Sequence, residues 1–78
     1  MADFILFGTE GCHLCEEAEQ LLWQVGLDFC KQDIIDDEQL QQCYAMRIPV
    51  LKCRLSGLEL GWPFGHEAVV KFLEGNQA

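Results

Sequence analysis

Cys12-His13-Leu14-Cys15 holds the side chains of this sequence whose types and spacing point most directly to chemistry. Residues three apart on a helix lie on one side of a turn, so the two thiols can close a small disulfide ring. Gly8-Thr9-Glu10-Gly11 precedes them, and two glycines in four residues mark a turn. The pair therefore falls at a helix start, where unpaired N–H groups and the positive end of the helix dipole favour a thiolate. Cys12, nearer the helix end and the solvent, is the expected attacking sulfur, and Cys15 the more buried resolving thiol. A protonated His13 would add favourable charge beside Cys12, whereas Glu10, Glu16 and Glu17 act in the opposite sense.

The other three cysteines, Cys30, Cys43 and Cys53, stand alone in apolar or periodic surroundings, where small buried hydrophobes are expected. A closed zinc site needs four ligands, and no second close cysteine spacing supplies them, so no metal site is expected. Five cysteines in 78 residues would suit a disulfide scaffold in a secreted chain. Asp3 and the lack of a basic flank argue against a secretory signal, and no apolar run reaches the ~18 residues of a membrane span. A cytoplasmic location follows as the expectation. In that reducing setting a lone C-x-x-C reads as redox-active.

The elements that must position the pair follow from periodicity. Phe4-Ile5-Leu6-Phe7 is a continuous apolar run, as in a strand buried on both faces. Leu14, Ala18, Leu21, Leu22 and Val25 form a helical stripe that Gly26 closes. A second strand is expected from Leu27 to Ile34 or Ile35, then a short helix over Leu40, Cys43 and Tyr44, capped by Asp36 or Asp37. Gln39, three residues after Asp36, would complete a capping box. The acidic run Asp33, Asp36, Asp37, Glu38 reads as a solvated helix start. Pro49 disfavours helix at Ile48. Val50–Leu55 and Leu58–Leu60, around Ser56-Gly57, read as a hairpin. Ala68, Val69, Phe72 and Leu73 give a last helix its apolar face. The order is β-α-β-α-β-β-α in one domain, residues 1–78. A chain this short buries only about 60–65% of its unfolded surface.

Gly11-Cys12-His13-Leu14-Cys15 after the first strand, with Ile48-Pro49-Val50 opening the hairpin, resembles the thioredoxin fold. Within it the chain is similar, over nearly its whole length, to the short bacterial glutaredoxin-like proteins. The resemblance implies an α/β domain with a four-stranded mixed sheet and three helices. It also implies a cis-proline at Pro49 facing the C-x-x-C, and an Ile48 backbone that pairs with an extended substrate. Arg47, beside the proline, is a candidate for a carboxylate contact, and Trp62 for a substrate-facing lip. Trp62, Phe64, Tyr44 and Met46 are otherwise expected to fill the core. The implied activity is thiol–disulfide exchange with Cys12, Cys15 and His13 as catalytic residues. A protein disulfide is the expected substrate and a thiol the reductant, with no metal or organic cofactor. The other readings are a non-catalytic docking module and a metal or iron–sulfur carrier.

The departures are as specific. Glutathione-using members carry a basic residue shortly before the motif, where Thr9, Glu10 and Gly11 stand here. They also carry a glycine pair and acidic residues after the fourth strand, where this chain has Gly61-Trp62-Pro63-Phe64-Gly65-His66-Glu67. Glutathione is therefore expected to serve at most as a reductant and to be a poor ligand. Gly11 replaces the tryptophan that precedes the motif in thioredoxin itself. Thirteen acids against five bases give a net charge of −8, and ten of those acids lie in residues 1–45. Such a chain is expected to act as a monomer and to bind neither nucleic acid nor membrane.

Overall fold

The computed structural model describes residues 3–75. β1 (Phe4–Gly8), α1 (His13–Val25), β2 (Cys30–Asp33), a single 3-10 turn (Ile34–Asp36), α2 (Glu38–Tyr44), β3 (Val50–Cys53), β4 (Glu59–Gly61) and α3 (His66–Gly75) follow one another. The sheet runs in the order β2-β1-β3-β4. β1 pairs parallel with β2 and antiparallel with β3, and β3 pairs antiparallel with β4. This is the expected element order and mixed sheet.

β1 is apolar throughout because both of its faces are covered. Leu6 packs with Ala18 and Leu22 of α1, Leu51, Phe64 and Val69, with Phe4 against the same cluster. Phe7 packs on the opposite side with Ile34, Tyr44 and Val50, with Ile5 beside them. Gly26 ends α1 in the left-handed region at φ 85°, a conformation that glycine adopts without strain. Its N–H donates to the Leu22 and Trp23 carbonyls.

Several boundaries differ from the expectation. β2 begins at Cys30, and Ile34 and Ile35 leave it for the 3-10 turn, because the Asp33 carboxylate accepts the Ile35 N–H at 2.9 Å. Asp37 caps α2, accepting from Gln39 and Leu40, so the expected Asp36–Gln39 box does not form. The first hairpin strand is shorter than expected, ending at Cys53, and the second is shifted by one residue, to Glu59–Gly61, with residues 54–58 in the turn. Gly57 takes φ 78° there, and the Ser56 hydroxyl accepts the Leu58 N–H.

Burial corrects four residues. Cys30 is exposed because β2 is an edge strand, and Cys43 because α2 turns Tyr44 inward and leaves its neighbour outside. Met46 is 98% exposed in the turn after α2. Leu14 is exposed too, because the inward side of α1 runs through Cys15, Ala18 and Leu22. Cys53, Tyr44 and Phe64 are buried. No helix among the described residues is long and apolar enough to cross a membrane.

The Leu22 side chain is wholly enclosed between α1 and the sheet. Leu22→Ala should cost ~2–5 kcal/mol in a denaturant titration. Met46→Ala should stay within ~0.5 kcal/mol in the same titration. Comparable losses for the two would contradict this placement of the core.

Candidate active site

β1 delivers the chain to Gly8, and Gly11, at φ 77°, turns it into α1. Cys12 is the N-cap of that helix, with extended backbone at φ −89° and ψ 109°. Its Sγ accepts the Cys15 N–H at 3.2 Å. A sulfur thus occupies the place where serine, threonine or aspartate oxygen ordinarily satisfies an unpaired helix donor. The Thr9 carbonyl accepts the Cys12 N–H at 3.4 Å, which closes the turn below the cap.

The two thiols differ in exposure. Cys12 is partly exposed, and Cys15 is only 6% exposed. Burial, helped by the side-chain hydrogen bond to Cys12, pushes the Cys15 thiol up to about 12. A Cβ at Gly8 would lie 2.9 Å from Cys15 Sγ, so β1 passes the inner thiol too closely for any residue but glycine. A reading centred on the motif misses Gly8; the signal it left was a glycine ending an apolar strand.

The Ile48–Pro49 bond is cis, the geometry implied by the resemblance. The Phe7–Val50 pairing puts Pro49 just beyond the β1–β3 ladder, at the end of the sheet from which β1 leads to Cys12. The Pro49 carbonyl accepts the Trp62 N–H at 3.2 Å, and the Ile48 N–H donates to Tyr44 at 3.0 Å. The expected pairing of Ile48 with an added strand is therefore reduced: its N–H is already used within the fold. The Trp62–Pro63 bond is also cis. Trp62 is half-buried against the core and meets Phe64 edge-to-face at 5.0 Å, serving the core as well as the rim.

Arg47 already has a carboxylate. Its guanidinium meets Glu59 at 2.6 Å and lies 5.2 Å from the centre of the Tyr44 ring. The Tyr44 hydroxyl donates to the other Glu59 oxygen. That hydrogen bond, then Arg47, holds the Glu59 carboxyl below the usual carboxylate range. Burial and the same bond push the Tyr44 hydroxyl up to about 12. Arg47 is thus occupied inside the fold. Charge counting could not foresee this, because Arg47 lies in the turn after α2 and Glu59 in β4. His13 is 86% exposed, with Glu16 and Glu17 at 3.9 and 3.8 Å from its ring nitrogens.

A cleft of about 320 Å³ opens on the Cys15 side, between α1 and β2, lined by residues that include Gly8, Cys15, Glu19, Lys31 and Asp33. Among the described residues no three His, Cys, Asp or Glu side chains come together as a metal site would require.

A family model described as Glutaredoxin-like domain (DUF836) matches residues 3–74. The chain belongs to the glutaredoxin-like family. The crystal structure of protein XcR50 from X. campestris is 33% identical to this glutaredoxin-like chain, with a TM-score of 0.87, covering 95% of this chain and 99% of the other. Protein Ne2328 from Nitrosomonas europaea is 26% identical, with a TM-score of 0.70 and coverage of 91% and 89%. The holo form of glutaredoxin C1 from Populus tremula x tremuloides is 25% identical, with a TM-score of 0.62 and coverage of 96% and 77%. No curated protein matches the chain. The fold is α/β and thioredoxin-like, and the glutaredoxin-like protein is of the redox type.

Its inner thiol gives a pH-dependent signature. Folded Cys15 keeps its proton more tightly than the unfolded chain does, so its contribution to stability is complete below pH 9.0 and is lost as pH rises through about 12. The thiolate is the species that alkylates. At about pH 8, iodoacetamide should therefore modify the exposed Cys30 and Cys43 and leave Cys15 free until the pH nears 12. Peptide mapping checks this, and labelling of Cys15 alongside Cys30 would contradict it.

Proposed function

We propose that this chain is a dithiol–disulfide oxidoreductase that reduces or exchanges protein disulfides through Cys12 and Cys15. The observation that carries the reading is the Cys12 sulfur at the cap of α1, bonded to the Cys15 N–H, with the Cys15 thiol buried behind it. Cys12 attacks a substrate disulfide and one substrate sulfur leaves as a thiolate. Cys15 then attacks Cys12, releases the second substrate sulfur and closes the Cys12–Cys15 disulfide. A thiol reductant returns the pair to the dithiol. No metal or organic cofactor takes part, and the setting is the reducing cytoplasm.

Glutathione fits this surface poorly. Thr9-Glu10-Gly11 offers no base before the motif, and the loop after β4 is the apolar Trp62-Pro63-Phe64. Arg47, the nearest cation to Pro49 in sequence, is taken by Glu59. Each lost charge-assisted hydrogen bond costs ~1.5–3 kcal/mol. The acidic first half of the chain would further repel an anionic tripeptide, an effect that salt screens. Exposed Leu14 within the motif and Met46 before Pro49 instead suit a partly apolar protein segment.

Two variants test the roles. Cys12→Ser should abolish disulfide reduction, whereas Cys15→Ser should accumulate a mixed disulfide on Cys12, read by intact mass. A disulfide-bonded protein should form that adduct at least ~tenfold faster than oxidised glutathione, a preference of ~1.4 kcal/mol in the barrier. An adduct on Cys12→Ser but none on Cys15→Ser would reverse the assignment. Equal rates with glutathione would overturn the substrate class.

A further inference from the structure

The exchange leaves one carboxylate beside the thiols without a part. Glu19 stands four residues after Cys15, on the same side of α1, and both side chains line the cleft between α1 and β2. The Glu19 side chain is only 14% exposed, and its Oε1 holds Lys31 Nζ at 2.6 Å. That hydrogen bond keeps Lys31 protonated above its ordinary range. Resolution of a mixed disulfide requires Cys15 to lose its proton first. Burial, then the bond to Cys12, opposes this, and the negative charge of Glu19 adds to the opposition.

The other charged groups at the cleft are less suited to take that proton. Glu10 and Glu16 are exposed on the loop and the first turn of α1. Asp33 of β2 accepts the Ile35 N–H, which holds its carboxyl below the usual range. Lys31 carries a proton already, and His13 lies toward Glu16 and Glu17.

We propose that Glu19, oriented by Lys31, accepts the Cys15 proton as the mixed disulfide is resolved; this rests on the redox reading of Cys12 and Cys15. The proton on Cys15 Sγ passes to a Glu19 carboxylate oxygen. The Cys15 thiolate attacks Cys12 Sγ and the bond from Cys12 to the substrate sulfur breaks, its electron pair leaving on that sulfur. The substrate thiolate takes a proton from solvent. The Cys12–Cys15 bond has formed, so the protein has lost two electrons and the substrate disulfide has gained them. Glu19 returns its proton to solvent through the cleft. It takes its proton from the reacting sulfur itself and is the general base of the resolving step, with Lys31 as the residue that positions it.

The sign of one substitution separates this role from simple electrostatics. Removing the Glu19 charge alone would ease ionisation of Cys15 and speed resolution; removing a proton acceptor slows it. The test uses 5,5′-dithiobis(2-nitrobenzoic acid) in a Cys30→Ser/Cys43→Ser background. The first thionitrobenzoate released reports attack by Cys12, and the second reports resolution by Cys15. In Glu19→Gln the first release should be unchanged, which also shows that the variant is folded. The second should slow about a hundredfold at neutral pH, the low end for a positioned proton acceptor, and should rise with pH as hydroxide substitutes. Glu19→Asp should recover part of the rate, and Lys31→Met, which breaks the ion pair but keeps the carboxylate, should stay faster than Glu19→Gln. A second release in Glu19→Gln as fast as in the parent, or faster, overturns the proposal and leaves the redox reading intact. Equal slowing by Lys31→Met and Glu19→Gln overturns it in favour of a purely structural pair. A parent protein that gives a first release and no second overturns both.

Discussion

A helix start leaves its first N–H groups without partners, and here one of them is satisfied by sulfur. The Cys15 N–H donates to Cys12 Sγ, and the geometry of the site follows from that bond. It places Cys12 at the cap, ahead of the first turn, where its side chain is partly exposed to solvent. It also sets Cys15 on the inward side of α1, in line with Ala18 and Leu22. The arrangement needs two further concessions from the backbone. Gly11 turns the chain through the left-handed region, and Gly8 gives up the space that the Cys15 sulfur fills.

The sheet holds that cap in place. β1 lies between β2 and β3, with hydrogen-bonded neighbours on both edges and apolar clusters on both faces. On the α2 face, Phe7 and Tyr44 stack at 4.5 Å, and Tyr44, Glu59 and Arg47 tie the segment before Pro49 to β4. The Ile48 N–H bond to Tyr44 continues the same tether. The polar groups around the proline are thus largely spent on fixing its segment at the head of β3. This end of the sheet presents apolar side chains and acids, with the arginine beside the proline neutralised by Glu59.

The element order was legible in the sequence because each element carried its own local signal. Phe4–Phe7 read as a doubly covered strand, Gly26 as a helix end, and Ser56-Gly57 as a turn. The motif at the head of α1 was legible for the same reason. Burial of single side chains was not. Cys30 and Cys43 looked like small core residues, yet edge position and helix phase decide exposure, and neither is set by residue type. Arg47 looked free because its partner lies twelve residues away, on β4. Glu19 and Lys31 face each other only because β2 lies parallel to β1 beneath α1, a pairing that periodicity cannot register. Met46 departs in the same direction as Cys30 and Cys43: an apolar residue near the site reads as core and stands in solvent.

The central claim is that Cys12 and Cys15 form one reversible redox couple while the remaining thiols stand apart. Equilibrating the dilute protein across a series of reduced and oxidised dithiothreitol mixtures, then alkylating and mapping peptides by mass spectrometry, tests it most directly. The account predicts a single two-electron transition in which only Cys12 and Cys15 lose their labels together. A major disulfide containing Cys30, Cys43 or Cys53, or a Cys12–Cys15 pair that never closes across the series, would contradict it.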